Sequence, residues 1–326
     1  MSLSGARGRP AVGMSRFFPL ADPFSMGSGV RESLVPLFDG VDFVVVDSYR
    51  ASSPWLAWVA ERLPLVVIDD FRDRPVERYA TALLNYNLDA ERWPYEFSSD
   101  RLRLLGPAYA LLRPEVAFWA DQIDSGALLS GEDVLFVAGA SDMAGATESI
   151  LRWWDGSWPP LSAVLGPLVD ASLRRRCRAA ADGKENVALL EAPNDFLERM
   201  ARSGRVICTS SVTAYEALAL GRPLAVFQVA DNQRGIGEAI QAKGLGHDLG
   251  FWGSFGRGDL EAVLSLPLGG ENTVVTEEGT DHPVARGETT LARRPCRARE
   301  GAVVDPRGAL AAAAALAAFF ERGGRR

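Results

Sequence analysis

The sequence predicts an α/β protein built from two parallel-sheet domains. Short β-branched runs alternate with helical stretches along the chain, which is the pattern of strands covered by helices. That alternation occurs twice, first from Asp42 and again from Asp133. The strand runs are also continuously apolar, as expected of parallel strands buried on both faces.

In the first series, 42–47 reads as a strand, Pro54 opens a helix through Trp55, Leu56, Trp58, Val59 and Leu63, and 65–69 reads as the next strand. Asp47 and Asp69 then end their strands at the carboxyl edge, where open α/β sheets bind ligands. In the second series 134–138 is a strand, 139–142 a turn and 147–154 a helix, a loop that presents backbone amides to a ligand. Further strands are expected at 163–165, 187–190, 205–208 and 224–227. Between the last two, Thr209-Ser210-Ser211-Val212-Thr213 places small hydroxyl residues at a helix start. Free amides and the positive dipole end suit an anion such as a diphosphate there; an ordinary capped helix is the alternative. Ser125-Gly126 and Ser130-Gly131 mark a linker within 121–132, giving domains 1–125 and 131–326 across a cleft. The stretch 266–300 has little apolar periodicity and is expected to be an inserted mobile segment, and an Ala-rich helix follows it.

Composition narrows the chemistry. The 326 residues are 47% hydrophobic and 24% charged, ordinary values for a globular protein. With 35 basic against 42 acidic side chains the net charge is −7, so a polyanion is repelled and nucleic acid is not an expected partner. The 2 histidines, His247 and His282, and the 3 scattered cysteines, Cys177, Cys208 and Cys296, supply neither a zinc site nor a disulfide framework. The first fifteen residues lack the apolar core of a secretory leader, and the apolar run 309–320 falls short of the roughly 20 residues of a bilayer span. A cytoplasmic location is the expectation. No oligomeric state is assigned.

Several segments, in consistent order, carry a resemblance. Val45-Val46-Asp47-Ser48-Tyr49, Val67-Ile68-Asp69-Asp70 with Asp73-Arg74-Pro75, Leu83-Leu84-Asn85-Tyr86-Asn87, and the run from Leu105 through Arg113-Pro114-Glu115 lie in the first half. Ala140-Ser141-Asp142, Thr213 to Glu216, and Ala230-Asp231-Asn232-Gln233 lie in the second. From Asp42 to Gly250 the chain resembles the UDP-2,4-diacetamido-2,4,6-trideoxy-β-L-altropyranose hydrolase family of pseudaminic acid biosynthesis. The resemblance implies a GT-B-like fold, two Rossmann-like domains facing a cleft, with the nucleotide held mainly by the second. It implies water displacing UDP from the anomeric carbon of a UDP-sugar, with no cofactor and no metal. It places Ser211, Val212 and Thr213 at the phosphates, Glu216 at the ribose hydroxyls, and Asn232 and Gln233 toward the sugar, with Ser141 and the Gly27-Ser28-Gly29 turn also in the nucleotide- or sugar-binding set.

At the amino terminus, Ala21-Asp22 followed by Met26-Gly27-Ser28-Gly29 resembles the family's opening strand and Gly-x-Gly turn. The family's catalytic histidine comes next, whereas this chain has Val30. Only about a dozen residues separate Gly29 from the Asp42 strand, too few for a helix, strand and helix, so the first domain is expected to be shortened. Asp22, Glu32, Asp47 and Tyr49 are the alternative groups for orienting water. Three functions remain open: a working hydrolase, a GT-B glycosyltransferase using a UDP-sugar, and a catalytically impaired UDP-sugar-binding homologue.

Overall fold

The computed structural model describes residues 24, 26–128, 131–267 and 303–322. Its chain divides into two compact units, Met1–Leu111 with Arg307–Arg326, and Leu112–Pro306. In the first unit, α1 (Ser28–Leu34) runs into a 3₁₀ turn, Val35–Phe38, and is followed by β1 (Val44–Asp47), α2 (Ser53–Ala60), β2 (Leu65–Ile68), β3 (Ala82–Asn85) and β4 (Leu102–Leu105). The four strands are parallel, in the order β1-β2-β3-β4, with Val45 opposite Val66 and Val67 opposite Leu83. No strand lies between Gly29 and β1. Alternation along each strand assigns the faces. Val46, Val67 and Leu83 pack with Leu34 and with Trp55, Leu56 and Val59 of α2. Both faces of β1 were expected to be buried, yet Val45 is 51% exposed and Asp47 is exposed as well. The reason is position: among the described strands β1 is outermost.

The second unit begins with α3 (Pro114–Asp124) and continues β5 (Val134–Val137), α4 (Ala146–Trp153), β6 (Leu161–Leu165), α5 (Ala171–Ala181), β7 (Val187–Glu191), α6 (Phe196–Arg202), β8 (Arg205–Thr209), α7 (Val212–Ala219), β9 (Leu224–Gln228), α8 (Arg234–Ala242), β10 (His247–Phe251) and α9 (Arg257–Leu264). All six strands are parallel, in the order β10-β9-β8-β5-β6-β7. The chain therefore winds outward from β5 to β7, returns, and winds the other way from β8 to β10. This is the doubly wound Rossmann order, with its reversal between β5 and β8. Phe136 of β5 stacks on Phe227 of β9 at 5.8 Å in a core completed by Ile150, Leu161 and Leu260. β10 was not among the expected strands, because Asp248 and Gly250 interrupt its apolar pattern.

The last helix, α10 (Gly308–Glu321), belongs to the first unit. Ala312 and Leu316 cover Val66, Leu84 and Leu104, the second face of the first sheet, and Phe320 stacks on Phe43 at 4.6 Å. Alanine permits this close approach, and Gly308 lies against the Ala110 backbone, where a Cβ would be 2.5 Å from the amide nitrogen. The units thus differ from the expected 1–125 and 131–326 at both ends. Helix α3 packs against α6 and α7 of the second unit, and α10 packs on the first. Most of the expected insertion, like Asp22 and His282, lies outside the described residues.

Candidate functional site

The reversal between β5 and β8 opens a crevice at the carboxyl edge of the second sheet, where two loops meet the starts of α4 and α7. The two helix starts differ. Asp142, buried and in the left-handed region at φ 42°, accepts hydrogen bonds from the amides of Ala146 at 2.8 Å and Thr147 at 2.9 Å. Its carboxylate therefore neutralises the α4 start, and the two amides expected to face a ligand are taken. Ser141, half-buried, lines an open cavity of about 420 Å³ with Asp142, Met143, Leu168, Asp170 and Arg176. Gly166 holds this edge together. Any Cβ there would overlap the carbonyl oxygens of Gly139 and Ala140, so the end of β6 can approach the β5 loop only with glycine.

The α7 start has no side-chain cap. Ser211 is its N-cap residue, Val212 is 42% exposed and Thr213 half-buried. The Ser211 hydroxyl turns back toward Thr209, 3.2 Å from its Oγ1 and 3.3 Å from its carbonyl. Ser210 is fully buried, and its hydroxyl has no hydrogen-bond partner. The peptide dipoles at this helix start thus have no side-chain cap and no acidic residue in the first turn.

One turn along α7, Glu216 is 2% exposed and both its oxygens are occupied. The Arg113 Nε donates to Oε1 at 2.6 Å and Nη2 to Oε2 at 2.7 Å. Arg113 is the residue before α3, its side chain is 49% exposed, and its guanidinium lies 5.1 Å from the Phe196 ring centre. Hydrogen bonding to Glu216 raises the Arg113 pKa further. The Gln233 Oε1 accepts from the Val229 amide at 2.8 Å, closing the turn after β9, and Asn232 is half-buried in the same turn.

The carboxyl edge of the first sheet is acidic. Asp69 is buried, accepting from the Tyr95 hydroxyl at 2.6 Å and the Arg72 amide at 3.0 Å, and Asn85 donates to the same hydroxyl at 2.9 Å. Burial and the bond to Asp69 push the Tyr95 phenol well above its ordinary value. The exposed Tyr49 hydroxyl donates to Asp70 at 2.6 Å. Desolvation and then the Asp70 charge raise the Asp47 pKa, and desolvation with both carboxylates raises Tyr86 to about 12. Of the other water-orienting candidates, Glu32 is exposed on α1 and Asp22 is outside the described residues. Gly27 precedes α1 at φ −59°, Ser28 begins it, and a Cβ on Gly29 would meet open space. Val30 packs half-buried against the first core.

His247 opens β10 and so stands at the amino edge of its parallel sheet, the edge away from the crevice. Desolvation and Arg205 lower its pKa. Burial raises the thiol of Cys177 to about 11 and that of Cys208 further. Among the described residues no group of three His, Cys, Asp or Glu side chains is arranged to hold a metal, and no helix is long and apolar enough to cross a membrane.

No protein-family model matches the chain, and no curated protein matches its sequence. Solved structures do. UDP-GlcNAc 2-epimerase from Methanocaldococcus jannaschii aligns at a TM-score of 0.50 and 12% identity over 75% of this chain and 74% of that one. The fold is GT-B-like. MurG from Acinetobacter baumannii aligns at 0.46 and 14% identity over 67% of this chain, which spans 62% of the MurG chain. UDP-GlcNAc 2-epimerase from Neisseria meningitidis aligns at 0.45 and 16% identity over 67% of each chain. At these identities the GT-B-like likeness concerns the fold.

Proposed function

We propose that the chain is a nucleotide-sugar-hydrolase-like protein that binds a UDP-linked diacetamido-trideoxyhexose through its second unit. The carrying observation is the contrast at the crevice: the α4 start is filled by Asp142, while the α7 start is uncapped. A diphosphate at Ser211, Val212 and Thr213 meets unopposed amide dipoles there. Ser141 lies across the crevice, Glu216 serves the ribose, and Asn232 with Gln233 faces the sugar. The M. jannaschii epimerase of like fold was solved with UDP-GlcNAc and UDP, in keeping with this reading.

The hydrolytic step is impaired. Water attack at the anomeric carbon needs a general base, and Val30 at the family's histidine position has none. Asp22, Glu32, Asp47 and Tyr49 are the candidates for orienting the water in its place; desolvation and then the Asp70 charge raise the Asp47 pKa. A general base contributes roughly 10²–10⁴ in rate. Wild-type protein is therefore expected to release UDP from the altropyranose substrate slowly or undetectably. Val30→His should raise that release toward the lower end of this range in a coupled UDP assay without acceptor. No gain from Val30→His sinks the base argument, and UDP release only with an acceptor present identifies a transferase instead.

A further inference from the structure

The pairing of Arg113 with Glu216 bears on how a nucleotide enters the second unit. Glu216 is 2% exposed, and the Arg113 side chain that pairs with it is 49% exposed. The carboxylate faces the protein interior, whereas the arginine has solvent to move into. Its fork donates one N–H to each carboxylate oxygen, at 2.6 and 2.7 Å. A vicinal diol presents the same pattern, two adjacent donors aimed at the two oxygens of one carboxylate.

We infer that Arg113 is a placeholder for the ribose diol: it holds the Glu216 carboxylate aimed, and a nucleotide binds by displacing the guanidinium from it. This rests on the proposed nucleotide reading and adds a positioning residue to it. Three features make the exchange feasible. Arg113 cannot lose its proton, so its fork keeps all its donors for the carboxylate at every physiological pH. Its stacking on Phe196 is a single contact of the cation–π kind, and the side chain is half exposed, so a released head can be solvated. A displaced guanidinium is also a bidentate partner for phosphate oxygens. The cost of opening the pair lowers apparent affinity by the fraction of molecules in which it is closed.

Calorimetric titration of the full chain with UDP and with 2′,3′-dideoxy-UDP, for wild type and Arg113→Lys, tests this. Lysine keeps the charge but has no planar fork, so the pair opens more easily. UDP should bind the variant about tenfold more tightly than wild type. The dideoxy nucleotide, which cannot compete for Glu216, should bind both proteins equally. A packing role alone would not move that ratio. An unchanged ratio with UDP still bound overturns the placeholder and leaves the nucleotide reading standing; no UDP binding by either protein overturns both. A second measurement needs no variant. In ¹⁵N-labelled wild type, the Arg113 Nε–H signal should shift at UDP saturation and not with the dideoxy nucleotide, and a signal unmoved by bound UDP overturns the placeholder.

Discussion

At the carboxyl edge of the second unit's sheet the α7 start has no side-chain cap and no acidic residue in its first turn, whereas the corresponding edge of the first unit's sheet carries Asp47, Asp69 and Asp70. Both sheets are parallel and both present strand ends to a loop layer, so the backbone plan is shared. The difference lies in winding and in side chains. The second sheet reverses between β5 and β8 and opens a crevice flanked by two helix starts; the four described strands of the first follow one another without reversal. Acidic side chains then repel a diphosphate from one edge, while uncompensated amides favour it at the other. The first unit's edge is thus lined by carboxylates and phenols, and the second by a helix start with no side-chain cap.

The contrast can be broken from either side. The largest effect is expected for Tyr95→Phe, which removes a donor from buried Asp69 and an acceptor from Asn85. The loss should be about 2–3 kcal/mol in chemical denaturation, because the buried Asp69 Oδ2 and the Asn85 amide would both lose a hydrogen-bond partner while staying out of water. A near-zero change means that the acidic edge does not depend on the network. Next comes Asp142→Ala, which uncaps α4 and places alanine at φ 42°. It should cost about 1–2 kcal/mol, and Asp142→Asn less, since asparagine still accepts a hydrogen bond and tolerates that backbone. Equal costs for the two variants would remove the capping argument.

The smallest effect is expected for Asp47→Asn. Folding raises the Asp47 pKa, so this group favours the folded state fully below the ordinary aspartate pKa, and that contribution is lost as pH rises through the raised value. Asparagine should therefore stabilise the protein at pH 7 by less than about 1 kcal/mol, given the residue's exposure. The gain should disappear in thermal melts run below the ordinary aspartate pKa. A gain that persists in acid assigns it to something other than the charge.

The strands legible in the sequence were those with short apolar runs, whether buried on both faces like β5 or half exposed like β1 and β7; β3, fully buried, was not among them. β5 is an unbroken apolar run, β6, β8 and β9 carry apolar runs at 163–165, 206–208 and 224–227, and the start of α7 was marked by its small hydroxyl residues. β10 was hidden by Asp248 and Gly250, and α10 was expected as a helix without any sign that it would cover the first sheet. The Arg113–Glu216 pair spans 103 positions, beyond the reach of any local periodicity. Asp142 did carry a local signal, an aspartate four and five residues before the amides it caps, although the same residues also read as a ligand-binding turn. Gly166 gave none, because its need for glycine arises from the backbone of a different loop.

The central claim is that the uncapped α7 start in the second unit holds the diphosphate of UDP. Isothermal titration of wild-type protein with UDP at two temperatures tests it most directly, since a binding enthalpy that crosses zero at one temperature is visible at the other. The account predicts saturable binding with one UDP per chain. No heat at either temperature with millimolar UDP would contradict it.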